Sequence, residues 1–185
     1  MRNIEDLRFG AEDAECITDS EGRGRWEREV GERYKAQLLA NAMMAGPEVV
    51  PKLWDDVKSV ADSLGVQSFD LFIVPDQDIQ AMCMKVPATE EGGLDGEKVC
   101  MTLSAGLIQR FDPEEIRFVV GHELGHYLLG HHGYPAVESA KEQWQKRSLV
   151  ELHHYAELSA DRVGLCACAN KDVGLKALVK LASGL

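Results

Sequence analysis

The sequence predicts an α+β fold in which a small antiparallel sheet packs against a mainly helical domain. Three observations lead to this class. Residues 25–66 and 112–185 carry apolar side chains at helical spacing, whereas residues 69–103 contain short apolar runs separated by turn residues. Two helices, a sheet and three helices therefore follow one another. A length of 185 residues suits a single domain, which we place at residues 25–185.

The N-terminal part predicts an arm followed by two helices. Residues 1–24 are rich in charge and glycine, which is typical of a flexible acidic arm. The segment WEREVGERYKAQLLANAMMA has helical spacing and ends at Gly46-Pro47, a helix stop signal. The next helix, PEVVPKLWDDVKSVADSLG, begins with a proline and ends at Gly65, and its interior Pro51 can shift its start.

The middle of the chain changes to the pattern of a sheet. Residues 69–75, FDLFIVP, form a short apolar run ended by a proline, which predicts a strand. The runs IQAMCMKV (79–86) and KVCMTL (98–103) lie on either side of a turn-rich loop, ATEEGGLDGE. Because Asp95-Gly96 in this loop favours a tight turn, we expect the two runs to pair as a hairpin.

The C-terminal part predicts three helices. Asp112 is a typical N-cap, a proline follows at the first helical position, and Glu115 completes a capping box. A helix therefore begins here and runs to about Gly130. The spacing predicts a second long helix over about 145–169 and a third over about 172–183.

Charge and hydropathy exclude several kinds of partner. The chain has 20 Lys and Arg against 31 Asp and Glu, and its net charge of −11 argues against nucleic acid or an anionic membrane as the main partner. No apolar run approaches the roughly 20 residues of a membrane span. The N-terminus also lacks the apolar core of a signal peptide. We therefore expect a cytoplasmic protein with no transmembrane segment.

The five cysteines predict reduced thiols rather than a disulfide framework, because their number is odd and the chain is not small. Cys166 and Cys168 are spaced C-x-C with no second pair nearby, which is a poor match to a zinc or redox site. We expect the cysteine side chains to be buried and unreactive.

The segment GHELGHYLLGHHG, residues 121–133, contains four of the six histidines and begins with an HExxH motif. His122 and His126 are four residues apart and share one helix face, so both imidazoles can bind one zinc ion. Glu123 lies about 100° further round the helix. There its carboxylate can take a proton from a zinc-bound water. The apolar neighbours of the motif indicate a buried helix, and Gly125 would let another element approach it closely.

A catalytic zinc site keeps three protein ligands, so a third ligand must come from elsewhere. One candidate is His132, which falls on the last position of the metzincin pattern HExxHxxGxxH. The chain departs from that pattern twice. Leu129 stands where the pattern has glycine, and no methionine follows Met101 to form the methionine turn.

The other candidate is Glu157, on the next long helix. Asp161 follows it by one helical turn and shares its face. In the gluzincin arrangement such a glutamate is the third zinc ligand, and the aspartate accepts a hydrogen bond from a ligand histidine. This interpretation gives both Glu157 and Asp161 a role, and we therefore favour Glu157 over His132 as the third ligand.

HELGH, followed on the next long helix by ELSADRVG, resembles the HtpX-like and CAAX-prenyl-endopeptidase-like family of gluzincin zinc metallopeptidases. The resemblance covers roughly residues 70–183 and includes the stretch MTLSAGLIQRFDPEEIRFVVGHELGH. It implies a zincin-like fold and an endopeptidase that binds one zinc ion and acts on peptides or proteins. Many members span the membrane and continue past the last helix. We therefore expect this chain, which ends at Leu185, to be a soluble member that is minimal or truncated.

The resemblance also implies roles for individual residues. By position, His122, His126 and Glu157 correspond to the zinc ligands. Glu123 corresponds to the general base, and Asp161 to the partner of a ligand histidine. The strand before the motif helix holds the substrate main chain in that family. IQAMCMK matches its position, which implies an edge strand for the substrate at Gln80, Ala81, Met82 and Cys83. The loop 87–97 could fold over this edge.

Two further histidines are candidates for stabilising the oxyanion of the reaction. His153 and His154 lie about one turn before Glu157, so both point near its face, whereas Tyr155 lies on another face. Two other functions remain open. The chain could be a catalytically inactive zinc-binding module with a regulatory or adaptor role, or a zinc hydrolase that acts on something other than peptides.

Overall fold

The computed structural model describes residues 20–87 and 97–184. Its elements are, in chain order, α1 (Ser20–Asn41), β1 (Met43–Ala45), α2 (Pro51–Ser63), β2 (Phe69–Val74), β3 (Ala81–Pro87), β4 (Glu97–Ser104), α3 (Ala105–Arg110), α4 (Pro113–Leu128), α5 (Gln143–Cys168) and α6 (Lys171–Ser183). Short 3-10 turns at His131–Gly133 and Val137–Ser139 lie between α4 and α5. The α+β class is confirmed.

The sheet is mixed, with strand order β1-β2-β4-β3. The predicted hairpin is present as the antiparallel pair β3–β4, in which Cys83 lies opposite Met101. However, β2 and β4 are parallel neighbours, so the prediction of a purely antiparallel sheet is wrong. Burial explains the difference. Residues 99–104 of β4 are all buried, and such a strand needs a neighbour on each side.

The N-terminal boundaries also differ from the sequence prediction. α1 begins at Ser20, so residues 20–24, predicted as part of the arm, are helical, while residues 1–19 lie outside the described part of the chain. α1 ends at Asn41, and residues 43–45, predicted as helix, form β1 against β2. Pairing with an open strand edge satisfies backbone groups, and this tertiary contact overrides the helix propensity of the Met-Met-Ala sequence.

The later helices begin at the predicted start signals. α2 begins at Pro51, whose fixed φ suits the first helical position. At the start of α4, the backbone N–H of Asp112 donates to Glu115 Oε2 at 2.8 Å as part of a capping box. The short helix α3 was not predicted. Ser104 begins it, because its Oγ accepts a hydrogen bond from the Leu107 N–H at 3.1 Å.

Helices cover both faces of the sheet. One face packs against α2 and α4, and its buried side chains include Leu71 and Met101 together with Phe118 of α4. On the other face, Phe72 and neighbouring strand residues pack against Leu38 of α1. α4 is therefore held between the sheet and α5. Within residues 20–87 and 97–184, none of the helices has the length and apolar content needed to cross a membrane.

The described cysteines are free thiols. Cys83 and Cys100 are buried as predicted, and burial raises the pKa of both thiols, that of Cys100 to about 12. Cys166 is exposed, so the expectation of burial is wrong for this residue. It lies in the last turns of α5, on the side that α4 and α6 leave open.

Candidate metal centre

α4 presents two imidazoles toward one point. His122 Nε2 and His126 Nε2 are 3.0 Å apart, as the spacing of four residues along one helix face predicts. Their rings meet edge to face with centroids 4.7 Å apart. The side chains are only 13% and 14% exposed, so both imidazoles are largely removed from bulk water.

α5 brings a carboxylate to the same point. Glu157 Oε2 lies 3.5 Å from His122 Nε2, and Glu157 Oε1 lies 3.6 Å from His126 Nε2. One ligand atom from each of the three residues falls within 4.8 Å of the others. Two imidazoles and a carboxylate are a donor set of catalytic zinc sites, so these residues fit a zinc ion. Because the Glu157 side chain is 60% exposed, the cluster opens to solvent on the α5 side.

Glycines allow α4 and α5 to approach closely enough for this contact. A Cβ atom added at Gly125 would lie 3.0 Å from Val163 Cβ, and one added at Gly121 would lie 2.4 Å from Ala167 Cβ. The close approach predicted at Gly125 is thus present, with α5 as the approaching element. It brings Glu157, one turn before the contact, beside the two imidazoles.

Asp161 orients the first histidine from the side away from the cluster. Its Oδ1 lies 2.9 Å from His122 Nδ1. The Nδ1–H of His122 can therefore donate a hydrogen bond to the Asp161 carboxylate. In its neutral form, His122 would keep its proton on Nδ1 against Asp161 and leave Nε2, which faces Glu157 and His126, free to bind a metal ion. Asp161 therefore stands where the sequence analysis expected the partner of a ligand histidine, and that histidine is His122.

The cluster is strongly coupled electrostatically. Burial lowers the pKa of His122, but its hydrogen bonds with Asp161 and Glu157 outweigh burial and raise that pKa to about 9. The imidazoles of His122 and His126, 3.5 and 3.6 Å from the carboxylate oxygens, in turn hold the pKa of Glu157 well below its usual range. The two carboxylates beside His122 thus favour its protonated form.

Glu123 lies on the side of α4 that faces the sheet. Burial raises the pKa of its carboxyl group, while the neighbouring charges of His122 and His126 act in the opposite direction. The backbone N–H of Cys83, in β3, hydrogen-bonds to this carboxylate. A half-buried carboxylate thus lies between the histidine pair and an edge strand.

Among the residues that the structure describes, β3 is an edge strand of the sheet, since it pairs there with β4 only. The Ser104 N–H donates to the Gln80 carbonyl at 2.9 Å, so Gln80 and Met82 turn their backbone groups toward β4. By the alternation of an antiparallel ladder, Ala81 and Cys83 turn theirs toward the open side. This open side is the one that the Glu123 carboxylate approaches. Residues 88–96 of the loop predicted to fold over this edge lie outside the described residues.

The structure separates the remaining candidates from the cluster. His153 Nε2 lies 3.0 Å from the carbonyl oxygen of Pro135, so this imidazole is directed at the segment after α4. His154 is exposed, with its ring 6.2 Å from that of Tyr155. His132 is exposed. In the described part of the chain, none of the three belongs to the group of metal-ligand atoms.

One histidine in the site was not singled out by sequence reasoning. His131 is 6% exposed, and its Nδ1 lies 3.0 Å from Nδ1 of His126. In the sequence it stood out only as one of the four histidines of GHELGHYLLGHHG. A signal was present, because the helix ends at Leu128 and the following Gly130 turns the chain back toward His126.

Comparison with known proteins finds similarity to one family of peptidases. Residues 88–146 match the model of peptidase family M48. The chain is similar to Protease HtpX of Alcanivorax borkumensis, 32% identical over 78 residues, which are 42% of this chain and 24% of the relative. It is also similar to Protease HtpX of Chromohalobacter salexigens, 33% identical over 78 residues, or 42% and 23% of the two chains. These matches support an HtpX-like M48 metallopeptidase family.

The chain spans about a quarter of the length of the HtpX relatives that it matches. The M48 match includes the HExxH motif but ends at residue 146, before α5 supplies Glu157 and Asp161. The convergence of those two carboxylates on the motif is therefore independent of that match. No solved structure matches the chain significantly.

Proposed function

We propose that this chain is a zinc-dependent metalloendopeptidase that hydrolyses peptide bonds, with Glu123 as its general base. One observation carries the proposal. Two imidazoles and a carboxylate converge within 4.8 Å beside a second, half-buried carboxylate, that of Glu123. The M48 match and the two relatives, both named as proteases, support the general class.

We assign His122, His126 and Glu157 as the ligands of one zinc ion per chain. When bound, such an ion lowers the pKa of a water ligand to about 7 and polarises a carbonyl oxygen. Asp161 holds the Nδ1–H of His122, which keeps the Nε2 lone pair directed into the cluster.

Glu123 moves the proton in this proposal. Its carboxylate accepts a proton from the attacking water and later delivers it to the leaving amine. Burial raises the pKa of Glu123, which makes its carboxylate a stronger base and so favours the first of these steps. The hydrogen bond from the Cys83 N–H fixes the carboxylate next to the strand along which the substrate would bind.

The substrate is a peptide or protein segment that adds to the open edge of β3. Main-chain groups of Ala81 and Cys83 face that edge and could pair with an extended peptide, as in other cases of strand addition. His153 and His154 remain predicted oxyanion donors, although the contact with Pro135 already occupies one nitrogen of His153. The cytoplasmic location and the domain at residues 25–185 also remain predictions.

The test is the substitution Glu123→Gln, which keeps the shape of the side chain and an acceptor for the Cys83 N–H. Loss of a general base is expected to lower kcat by roughly 100- to 10,000-fold. The cleavage of unfolded casein and the zinc content of the purified chain are measured together. Glu114→Gln serves as a matched control, because Glu114 lies on the same helix but is exposed.

Two results would contradict the proposal in different ways. Cleavage at the wild-type rate by Glu123→Gln, with zinc retained, would show that Glu123 is not the base. A wild-type chain that binds zinc but cleaves no peptide would favour the alternative, an inactive zinc-binding regulatory or adaptor module.

A further inference from the structure

His131 and His126 form a direct contact between two imidazoles. The two Nδ1 atoms are 3.0 Å apart, and the rings meet edge to face with centroids separated by 5.0 Å. His131 is 6% exposed, although it follows the end of α4. A buried imidazole that faces a half-buried one at hydrogen-bonding distance needs a defined arrangement of protons.

The backbone after α4 aims this side chain. Gly130 has φ of 70°, in the left-handed region that favours glycine, and the residues after it form the 3-10 turn His131–Gly133. The turn closes with the N–H of Tyr134 donating to the His131 carbonyl at 3.0 Å. Its geometry sends His131 inward, while His132 is exposed.

Proton placement at His126 follows from its two contacts. Its Nε2 faces the ligand cluster, 3.0 Å from His122 Nε2 and 3.6 Å from Glu157 Oε1. A neutral imidazole that offers its Nε2 lone pair to a metal carries its proton on Nδ1. The Nδ1–H of His126 then needs an acceptor, and the atom at that distance is Nδ1 of His131.

We propose that His131 is a positioning residue of the metal centre, whose unprotonated Nδ1 accepts the hydrogen bond from the Nδ1–H of His126. This inference rests on the proposed metal site. The two ligand histidines then have different hydrogen-bond acceptors: His122 donates to the anionic Asp161, and His126 donates to the neutral imidazole of His131. A neutral acceptor orients His126 without adding a further negative charge to a site that already holds Glu157 and Glu123.

The experiment compares three variants by their zinc dissociation constants, measured by competition with a chelator. His131→Leu removes the acceptor, and removal of such a partner is expected to weaken metal binding by roughly 10- to 100-fold. His131→Asn places an amide oxygen near the position of Nδ1, so it is expected to recover most of the affinity. His132→Leu is the matched control at the exposed neighbour and is expected to bind as the wild type does.

A second readout reports the proton positions directly. Nitrogen NMR of the imidazoles in the zinc-loaded wild-type chain is expected to show His126 protonated on Nδ1 and His131 protonated on Nε2. This measurement needs no variant, so it decides the matter even if His131→Leu does not fold.

The failures of the two proposals can be told apart. If the wild-type chain binds no zinc, the proposed metal site is wrong, and the proposed role of His131 is then wrong as well. If the wild type binds zinc but His131→Leu binds it equally well, only the role of His131 is overturned. The same conclusion follows if His131→Asn is as weak as His131→Leu, or if NMR places the proton on Nδ1 of His131.

Discussion

At the scale of single residues, the site combines a half-buried glutamate with a histidine whose pKa is raised. The pKa of Glu123 is raised chiefly by burial. The pKa of His122 is raised to about 9, because Asp161 and Glu157 outweigh the effect of burial. A metal ion needs the neutral imidazole, so it must displace the proton that these carboxylates retain.

We therefore predict that zinc binding releases about one proton from His122 at pH 7.5. The metal-free site is stabilised fully below the unfolded pKa of 6.5 and loses that contribution as pH rises through about 9. Zinc affinity should accordingly increase with pH up to about 9. Calorimetric titration in buffers with different heats of protonation measures the number of protons released.

Asp161→Asn is the informative variant for this prediction, because it removes the nearer carboxylate from His122. The proton release at pH 7.5 should become smaller, since His122 is then less protonated at the start. An unchanged release in Asp161→Asn would show that the proton comes from another group.

At the scale of helices, the site depends on how closely α5 approaches α4. Small residues line the contact on both helices, with Gly121 and Gly125 on α4 facing Ala160 and Gly164 on α5. Glu157 and Asp161 lie on α5 next to this contact. Any change that moves α5 outward therefore also lengthens the distances from His122 to its two carboxylates.

We predict that Gly121→Ala destabilises the fold and weakens zinc binding together. The added Cβ would lie 2.4 Å from Ala167 Cβ and 3.0 Å from Gly164 Cα, so the helices must separate. Overpacking of this kind costs about 1–3 kcal/mol, partly offset by a gain of about 1 kcal/mol in helix propensity. Urea unfolding and chelator competition measure the two effects.

Gly46→Ala is the control for this substitution, because a Cβ at Gly46 meets nothing within 4 Å. It should leave both the free energy of unfolding and the zinc affinity unchanged. Full zinc affinity in Gly121→Ala would show that the site tolerates a wider helix spacing, which contradicts the prediction.

At the scale of the whole molecule, three separate parts of the chain meet at one place. β3 supplies an edge strand, α4 the two histidines and Glu123, and α5 the carboxylates of Glu157 and Asp161. A metal ion that binds α4 and α5 at once links elements that otherwise meet through their glycine-lined contact. Binding should therefore stabilise the native fold as a unit.

We predict that zinc raises the melting temperature of the metal-free chain. At a free metal concentration 1,000 times Kd the stabilisation is roughly 4 kcal/mol, or about 8–16 °C for a domain of this size. Glu157→Ala should lose most of this shift. A full shift in Glu157→Ala would show that the ion binds without this carboxylate and would return His132 as a candidate ligand.

The sequence by itself determined the features that depend on local spacing and capping. HELGH places His122 and His126 on one helix face because the α-helical period is close to four residues, and Asp112 with Glu115 starts that helix in any surroundings. The pair Glu157 and Asp161 could be proposed for the same reason. Their meeting with the histidines depends on a helix contact that spacing cannot specify.

Only the tertiary structure decided the features that depend on distant parts of the chain. β4 lies beside β2 in a mixed sheet because it is buried on both faces, and β1 forms because an open strand edge accepts it. His131 became part of the site because Gly130 reverses the chain and packing buries one of two adjacent histidines. The local sequence does not distinguish His131 from His132, and only the packing of His131 against His126 shows which of the two belongs to the site.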